Sequence, residues 1–225
     1  MSEAAPAPAH HSPHYPTRAE RIADGWVHGV GVVLAGLAAI VLLGLSLWRG
    51  GLSQASAITI YAVCLLIMLS VSAAYNMADS GPKRTLLRRF DHAAIFLMIA
   101  GSYTPFTTQR FEGGWAIGMT IAVWALALFG AAGKIFLPGV SKKFWLALYV
   151  LLGWMVVIAI GPLSDTVSLA GRILLAVGGS IYTLGVAIYV WERLPFRRAI
   201  WHCFVLAAAG VHYAAVLTGV VFAPT

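Results

Sequence analysis

The sequence is poor in charged residues. Asp, Glu, Lys and Arg make up only 10% of its 225 residues, whereas a soluble domain has about 25%. Hydrophobic residues make up 60% of the chain, and so apolar a chain would not stay in solution. The composition therefore excludes an ordinary soluble domain and predicts a polytopic membrane protein.

Cysteine is also scarce, and this excludes a disulfide framework. The two cysteines, Cys64 and Cys203, both lie inside apolar runs and are expected to be small buried residues. No phosphate-binding loop, nucleotide motif or nucleic-acid module is present. The formal net charge is +7, but the basic residues lie in short segments between apolar runs. That placement favours membrane lipids as partners over nucleic acid.

Seven apolar runs are present, each close to the roughly 20 residues that cross the hydrocarbon core. They lie at about 26–48, 54–77, 91–109, 114–133, 144–162, 168–190 and 199–221. Because lipid offers no hydrogen-bond partner to the backbone, the runs are expected to be helices. The sequence thus predicts an all-α fold, with a single domain of seven transmembrane helices over residues 18–225.

Residues 1–17 are rich in Ala, Pro and Ser and are predicted to form a disordered tail. Its histidines, His10, His11 and His14, are expected to be solvated, although they could bind metal adventitiously. Twelve of the 15 Lys and Arg residues lie directly after this tail, as Arg18 and Arg21, and in the loops after the second, fourth and sixth runs. By the positive-inside rule, the N-terminus is expected in the cytoplasm and the C-terminus outside.

Polar residues gather at the predicted cytoplasmic ends of three helices. The third run begins at Asp91-His92, after a polar turn that contains Lys83, Arg84, Arg88 and Arg89. Residues four apart share a helix face, so the second and seventh runs each add one polar pair. The predicted polar cluster is Ser72, Asn76, Asp91, Arg198 and His202. Glu20 and His28 are expected at the same level, whereas His212 lies about 15 Å deeper along the seventh helix.

The sequence resembles the bacterial hemolysin III family of the progestin and adipoQ receptor superfamily over roughly residues 18–221. Five short motifs carry the resemblance: ERIADGWVH from Glu20, SAAYN from Ser72, FDH from Phe90, AGSYTPF from Ala100, and IWH from Ile200 with the later His212-Tyr213. The resemblance implies seven helices, a bacterial inner (plasma) membrane location and a role in membrane lipid homeostasis or lipid sensing.

The resemblance also implies a zinc site, formed by one histidine on the second helix and two on the seventh, with a serine and an aspartate nearby. Here Asn76 and Arg198 stand at two of the three histidine positions, and only His202 matches, beside Ser72 and Asp91. Asn is a poor zinc ligand and a protonated guanidinium has no lone pair to donate. The site is therefore predicted to be degenerate and to hold no cofactor, with zinc still implied by the resemblance. A metal could also enter by another route, for instance through His202, His28 and Asp91.

Arg198 could replace the charge of the missing metal and pair with Asp91. The alternative is that its side chain extends to the lipid headgroups. A further motif, Gly114-xxx-Gly118, suits either helix packing within the chain or a homo-oligomer contact.

Three function classes stay open. The favoured one is a non-catalytic, lipid-responsive membrane protein. The alternative is a zinc-dependent lipid amide hydrolase resembling the ceramidases, with His202 as metal ligand, Asp91 as base and Ser72 orienting water or substrate. A pore is the weakest reading, because the polar residues gather at one end rather than forming a file across the bilayer.

Overall fold

The computed structural model describes residues 14–223, and within them every regular element is a helix. The elements are α1 (Arg18–Met77), α2 (Pro82–Gln109), α3 (Gly113–Phe136), α4 (Lys142–Gly153), a 3₁₀ turn (Met155–Ala159), α5 (Ile160–Thr166), α6 (Leu169–Val190), α7 (Arg197–Val216) and a terminal π-helical turn (Leu217–Val221). The prediction of an all-helical chain is confirmed for this part of the sequence.

Helix α1 is folded back on itself at Gly51. That residue has φ 65° and ψ −158°, a conformation that is essentially restricted to glycine. A straight helix of 60 residues would be about 90 Å long, yet Nη2 of Arg21 donates to the carbonyl of Met77 at 2.9 Å. The halves 18–50 and 52–77 therefore lie side by side and run in opposite directions.

Helix α2 begins earlier than the sequence predicts. The basic stretch from Lys83 to Arg89 forms its first turns rather than a loop. Pro82 starts the helix because its fixed φ suits the first helical position and its missing N–H is not needed there. Asp91 is consequently the tenth residue of α2 and not the head of a helix.

The predicted run at 144–162 is broken into α4, the 3₁₀ turn and α5. Tyr103 of α2 supplies the hydrogen bonds that the break removes. Its hydroxyl donates to the carbonyls of Leu152 and Gly153 at 3.1 and 2.8 Å, and it accepts from the amide of Val156 at 2.9 Å. A break in a helix within the hydrocarbon region needs such a partner because lipid provides none.

Five segments of the described chain are long and apolar enough to cross a membrane: Arg18–Met77, Gly113–Phe136, Lys142–Thr166, Leu169–Val190 and Arg197–Val221. Transmembrane helices are thus confirmed. The first segment contains both halves of α1, and α2 is not among the five. The number of crossings and the orientation stay predictions.

Glycines allow close packing between neighbouring helices. A Cβ atom at Gly101 of α2 would lie 2.7 Å from Cβ of Cys64 on α1, and one at Gly178 of α6 would lie 2.3 Å from Nδ1 of His212 on α7. A Cβ at Gly114 or Gly118 would meet nothing within 4 Å. Within the described residues, the Gly114-xxx-Gly118 motif therefore makes no close contact with another helix, which does not support the first of its two alternatives.

Candidate functional site

Asp24 is the centre of a buried polar cluster between α1 and α7. Its carboxylate has no exposed surface, and His28 and His202 are only 5% and 9% exposed. Nδ1 of His202 donates to Oδ1 of Asp24 at 2.6 Å, and Nε2 of His28 lies 3.5 Å from Oδ2. The two imidazole rings are 4.2 Å apart, centre to centre.

The two helices bring these residues together in a simple way. Asp24 and His28 are four residues apart on α1 and therefore share one face. His202 lies in the second turn of α7. The start of α7 is held against α1 by the backbone amide of Phe196, which donates to Oε1 of Glu20 at 3.3 Å.

The segment before α1 covers this cluster. Tyr15 donates a hydrogen bond from its hydroxyl to Oδ2 of Asp24. His14 hydrogen-bonds to Oδ1 of Asn76 through Nε2 at 3.0 Å. Residues 1–13 of the predicted tail lie outside the described residues, but His14 and Tyr15 differ from the expected solvated state.

Burial changes the titration of both side chains. It is the main reason that the pKa of His14 is lowered to about 4, and the positive charges of Arg198 and Arg84 add to the effect. The pKa of the Tyr15 phenol is raised, first by burial and then by its hydrogen bond to the Asp24 carboxylate. Both groups are therefore neutral at pH 7.

The residues of the predicted cluster lie close to one another. Asn76, Asp91, Arg198 and His202 line one small pocket of about 40 Å³. Ser72 lies behind it: the Asn76 side-chain amide donates to the Ser72 carbonyl at 3.0 Å and to its hydroxyl at 3.3 Å. Asp91 is buried and lies beside the Ser72 hydroxyl.

Arg198 contacts the N-terminal segment rather than Asp91. Its Nε donates to the carbonyl of His14 at 3.0 Å, and its guanidinium lies 5.7 Å from the centre of the Tyr15 ring. Among residues 14–223, no ion pair within 4 Å joins Arg198 to Asp91. The structure thus does not form the pair that the sequence suggested.

The other two histidines of the sequence argument are bonded to their own helices. Nδ1 of His92 lies 2.7 Å from the carbonyl of Arg88, and Nδ1 of His212 lies 3.0 Å from that of Ala208. Neither belongs to the cluster around Asp24.

Sequence reasoning missed Asp24 and Tyr15. Asp24 stands within the ERIADGWVH motif, but only the flanking Glu20 and His28 were singled out. The available signal was an acidic residue four positions before a histidine, close to a long apolar run. Ionisable residues at such positions are costly and rarely without a role.

A cavity of about 850 Å³ extends from this cluster into the helix bundle. His28, Ser72, Asp91 and His202 line its polar end. Phe106 also lines it, 15 residues beyond Asp91 on α2, so the cavity follows that helix for about 22 Å. Its remaining walls are mainly apolar and come largely from α4, the 3₁₀ turn, α6 and α7.

Most of the chain is similar to known proteins. Residues 18–213 match the family described as haemolysin-III related. The chain belongs to this family. The hemolysin-3 homolog of Bacillus subtilis (strain 168) is 35% identical over 201 residues, which cover 88% of this chain and 93% of the relative. Hemolysin-3 of Bacillus cereus is 34% identical over 200 residues, covering 88% and 90%.

The haemolysin-III related chain also resembles a protein of the wider progestin and adipoQ receptor superfamily. The human monocyte to macrophage differentiation factor is 30% identical over 174 residues, covering 74% of this chain and 71% of the relative. No solved structure matches the chain significantly. Because the chain belongs to the haemolysin-III related family and has several apolar helices, it is an integral membrane protein. The bacterial relatives indicate that the membrane is the plasma membrane.

The zinc positions implied by the family resemblance do not fit a metal in this haemolysin-III related chain. Both polar atoms of the Asn76 side chain already form hydrogen bonds: Nδ2 donates to the Ser72 carbonyl, and Oδ1 bonds to Nε2 of His14. Arg198 brings a cation to the second position. A different set, Asp24, His28 and His202, offers one ligand atom each, and these atoms all lie within 4.8 Å of one another. This set could hold a metal ion.

Proposed function

We propose that this haemolysin-III related protein binds a membrane lipid in its central cavity and acts in membrane lipid homeostasis or lipid sensing without turning the lipid over. The single observation that carries the proposal is the cavity itself. Its volume of about 850 Å³ falls within the range of about 300–1,000 Å³ typical of small-molecule sites.

The distribution of polarity in the cavity supports a lipid as the occupant. A carboxylate and two imidazoles gather at one end, around Asp91 and His202, while the walls toward Phe106 are mainly apolar but include Tyr103 and Arg172. A length of about 22 Å along α2 suits an extended acyl chain. The polar end then faces the headgroup or the terminal carboxyl group of the lipid.

The proposed arrangement in the membrane has seven crossings and a cytoplasmic N-terminus. The two halves of α1, then α2, α3, the α4–α5 unit, α6 and α7 supply the crossings. The positions of twelve of the 15 Lys and Arg residues support this orientation. The polar end of the cavity then lies at the cytoplasmic face, together with His14 and Tyr15.

We also propose that the family zinc position is degenerate. The engaged amide of Asn76 and the cationic side chain of Arg198 support this view. The lipid function then depends on hydrogen bonds and shape rather than on a metal at that position.

A lipid amide hydrolase is the second candidate. The observation in its favour is that Ser72, Asp91 and two histidines line the same end of the cavity. In that case Asp91 would act as the base and Ser72 would orient water or substrate. Turnover distinguishes the two functions.

A photoactivatable fatty acid tests lipid binding. It is added to membranes that contain the full-length protein, and the crosslinked peptides are mapped after purification. Ala176 lines the cavity on α6, so Ala176→Trp should fill it and lower the labelling of cavity peptides several-fold. Ala187, on the same helix, is exposed and lies outside the cavity wall, so Ala187→Trp is the matched control.

Equal labelling of cavity peptides in the unmodified protein and in Ala176→Trp would overturn the proposal. The same protein is incubated with a fluorescent ceramide. Protein-dependent release of the fatty acid, lost in Asp91→Asn, would establish the hydrolase instead.

A further inference from the structure

The cluster of Asp24, His28 and His202 brings together a carboxylate and two imidazoles, which lipid binding does not require. The side chains of Asp24 and His28 are more than nine-tenths buried and that of His202 is 11% exposed, and the three come from two helices that are distant in the sequence. Two imidazoles and one carboxylate form a ligand set that zinc and similar divalent ions take in proteins. Their ligand atoms lie within 4.8 Å of one another.

The second observation is an unpartnered nitrogen that faces the carboxylate. Among residues 14–223, Nε2 of His28 has no hydrogen-bond partner although it is buried. It lies 3.5 Å from Oδ2 of Asp24. Two ligand atoms of a tetrahedral zinc ion, with bonds of about 2.0–2.1 Å, are about 3.3 Å apart. The spacing of these two atoms already suits a shared ion.

The third side chain is held ready by a hydrogen bond. Nδ1 of His202 lies 2.6 Å from Oδ1 of Asp24, which fixes the ring on the cluster. When this nitrogen becomes a ligand, the proton must move from Nδ1 to Nε2 of the same ring, so that the imidazole stays neutral. One carboxylate and two neutral imidazoles then offset one of the two positive charges of the ion.

We infer that Asp24, His28 and His202 bind one divalent ion of the zinc class. This set replaces the three histidines that the family resemblance implies, of which only His202 is present. Three protein ligands leave a fourth coordination position open, which is the pattern of a catalytic rather than a structural zinc site. Since His28 and His202 also line the cavity, the ion would lie at its wall. The inference goes beyond the proposed lipid function, which needs no metal.

Metal content and cobalt binding of the full-length protein test the inference. The protein carries His10→Asn and His11→Asn, to remove adventitious ligands, and a purification tag without histidine. We expect about one zinc per chain after dialysis against zinc and a tetrahedral cobalt spectrum on titration with Co²⁺. Zinc should also raise the Tm of the detergent-solubilised protein.

Substitutions identify the ligands. Asp24→Asn, His28→Gln and His202→Gln should each weaken cobalt binding by more than the roughly 10–100-fold that loss of a supporting residue causes. His92→Gln is the matched control, because His92 bonds to its own helix. Should a variant fold poorly, His28→Cys keeps a ligand at the position, and it should restore binding with a new thiolate-to-cobalt charge-transfer band.

Several results would overturn the inference. One is a protein that binds no cobalt. Another is binding that persists in all three ligand variants, which means an adventitious ion only. A third is binding that depends on Asp91 or Asn76 but not on Asp24, since the ion would then lie elsewhere. The Ala176→Trp variant should keep its metal, so a failure of lipid binding and a failure of metal binding are measured separately.

Discussion

The Tyr15 hydroxyl donates a hydrogen bond to the carboxylate of Asp24, and this contact attaches the segment before α1 to the buried cluster between α1 and α7. The Tyr15 ring also lies beneath the guanidinium of Arg198 at 5.7 Å. Two independent contacts therefore hold one side chain, and the N-terminal segment is a structural part of the site.

Removing the Tyr15 hydroxyl should destabilise the protein. In Tyr15→Phe the ring can stay against Arg198, but Asp24 loses one donor. A hydrogen bond to a charged group contributes about 1.5 kcal/mol or more, and we expect a loss of about that size. The measurement is equilibrium unfolding in mixed detergent and SDS micelles. Tyr213→Phe is the control, because the Tyr213 hydroxyl has no hydrogen bond within residues 14–223. Equal losses in both variants would contradict the prediction.

The N-terminal segment should release from the bundle as the pH falls. The pKa of His14 is lowered to about 4 in the folded protein, from 6.5. Between these values the released segment binds more protons than the docked one, so docking is complete above pH 6.5 and weakens as the pH falls toward 4. Protonation of His14 is opposed by burial and by Arg198 and Arg84, and it is favoured by the hydrogen bond to Asn76 and then by Asp24.

A spin label can follow this release. It is attached at Ser12→Cys in a background of Cys64→Ala and Cys203→Ala. Its mobility should increase from pH 7 to pH 4.5 in the parent protein. In His14→Gln, which keeps a donor for Asn76 but does not titrate, the increase should disappear. An unchanged pH profile in His14→Gln would show that another group controls the segment.

Arg198 should be coupled energetically to Tyr15 and not to Asp91. A cation–π contact contributes about 0.5–1 kcal/mol, so the double-mutant cycle of Arg198→Met with Tyr15→Leu should give a coupling of that size. The cycle of Arg198→Met with Asp91→Asn should be additive within about 0.5 kcal/mol. The readout is again the free energy of unfolding. A larger coupling to Asp91 would mean that the ion pair suggested by the sequence does form.

Gly51 should not tolerate a side chain. Its φ of 65° and ψ of −158° would place alanine in a region that costs about 1–3 kcal/mol, so Gly51→Ala should destabilise the hairpin of α1 by that amount. Gly44 is the matched control, since it has ordinary helical geometry and a Cβ there meets nothing within 4 Å. Gly44→Ala should be neutral or stabilising by up to about 1 kcal/mol. Equal effects on Tm would refute the assignment.

The helical membrane fold could be predicted because apolar length and glycine or proline breaks are local properties of the sequence. The start of α2 could not be predicted, because the charges of Lys83 to Arg89 indicate a loop between two apolar runs. In the structure Pro82 begins a helix whose first turns are simply polar. The break after α4 was also missed, because it depends on Tyr103, a residue of another helix.

The site could be predicted in part for the same reason. Spacing of four residues placed Ser72 with Asn76 on one face, and the hydrogen bonds between them follow from that spacing. The partner of His202 could not be deduced by spacing, because it is Asp24, on the opposite end of the chain. The contact of Tyr15 with Asp24 could not be deduced either, because a tail rich in Ala and Pro has no periodic pattern.

The hydrogen bond between Asp24 and His202 joins residues that are 178 positions apart, and this sets an order for assembly during synthesis. Asp24 is made with α1, whereas His202 is made 178 residues later, with α7. At about 5–20 residues per second, the carboxyl group waits roughly 10–35 s for its imidazole partner. A chain that stops before α7 therefore keeps His28 and Tyr15 beside Asp24 but lacks the 2.6 Å hydrogen bond from His202. Formation of this hydrogen bond therefore distinguishes a chain that contains α7 from one truncated before it. The exposed Asp24 site of a truncated chain is a feature that a quality-control protease can recognise.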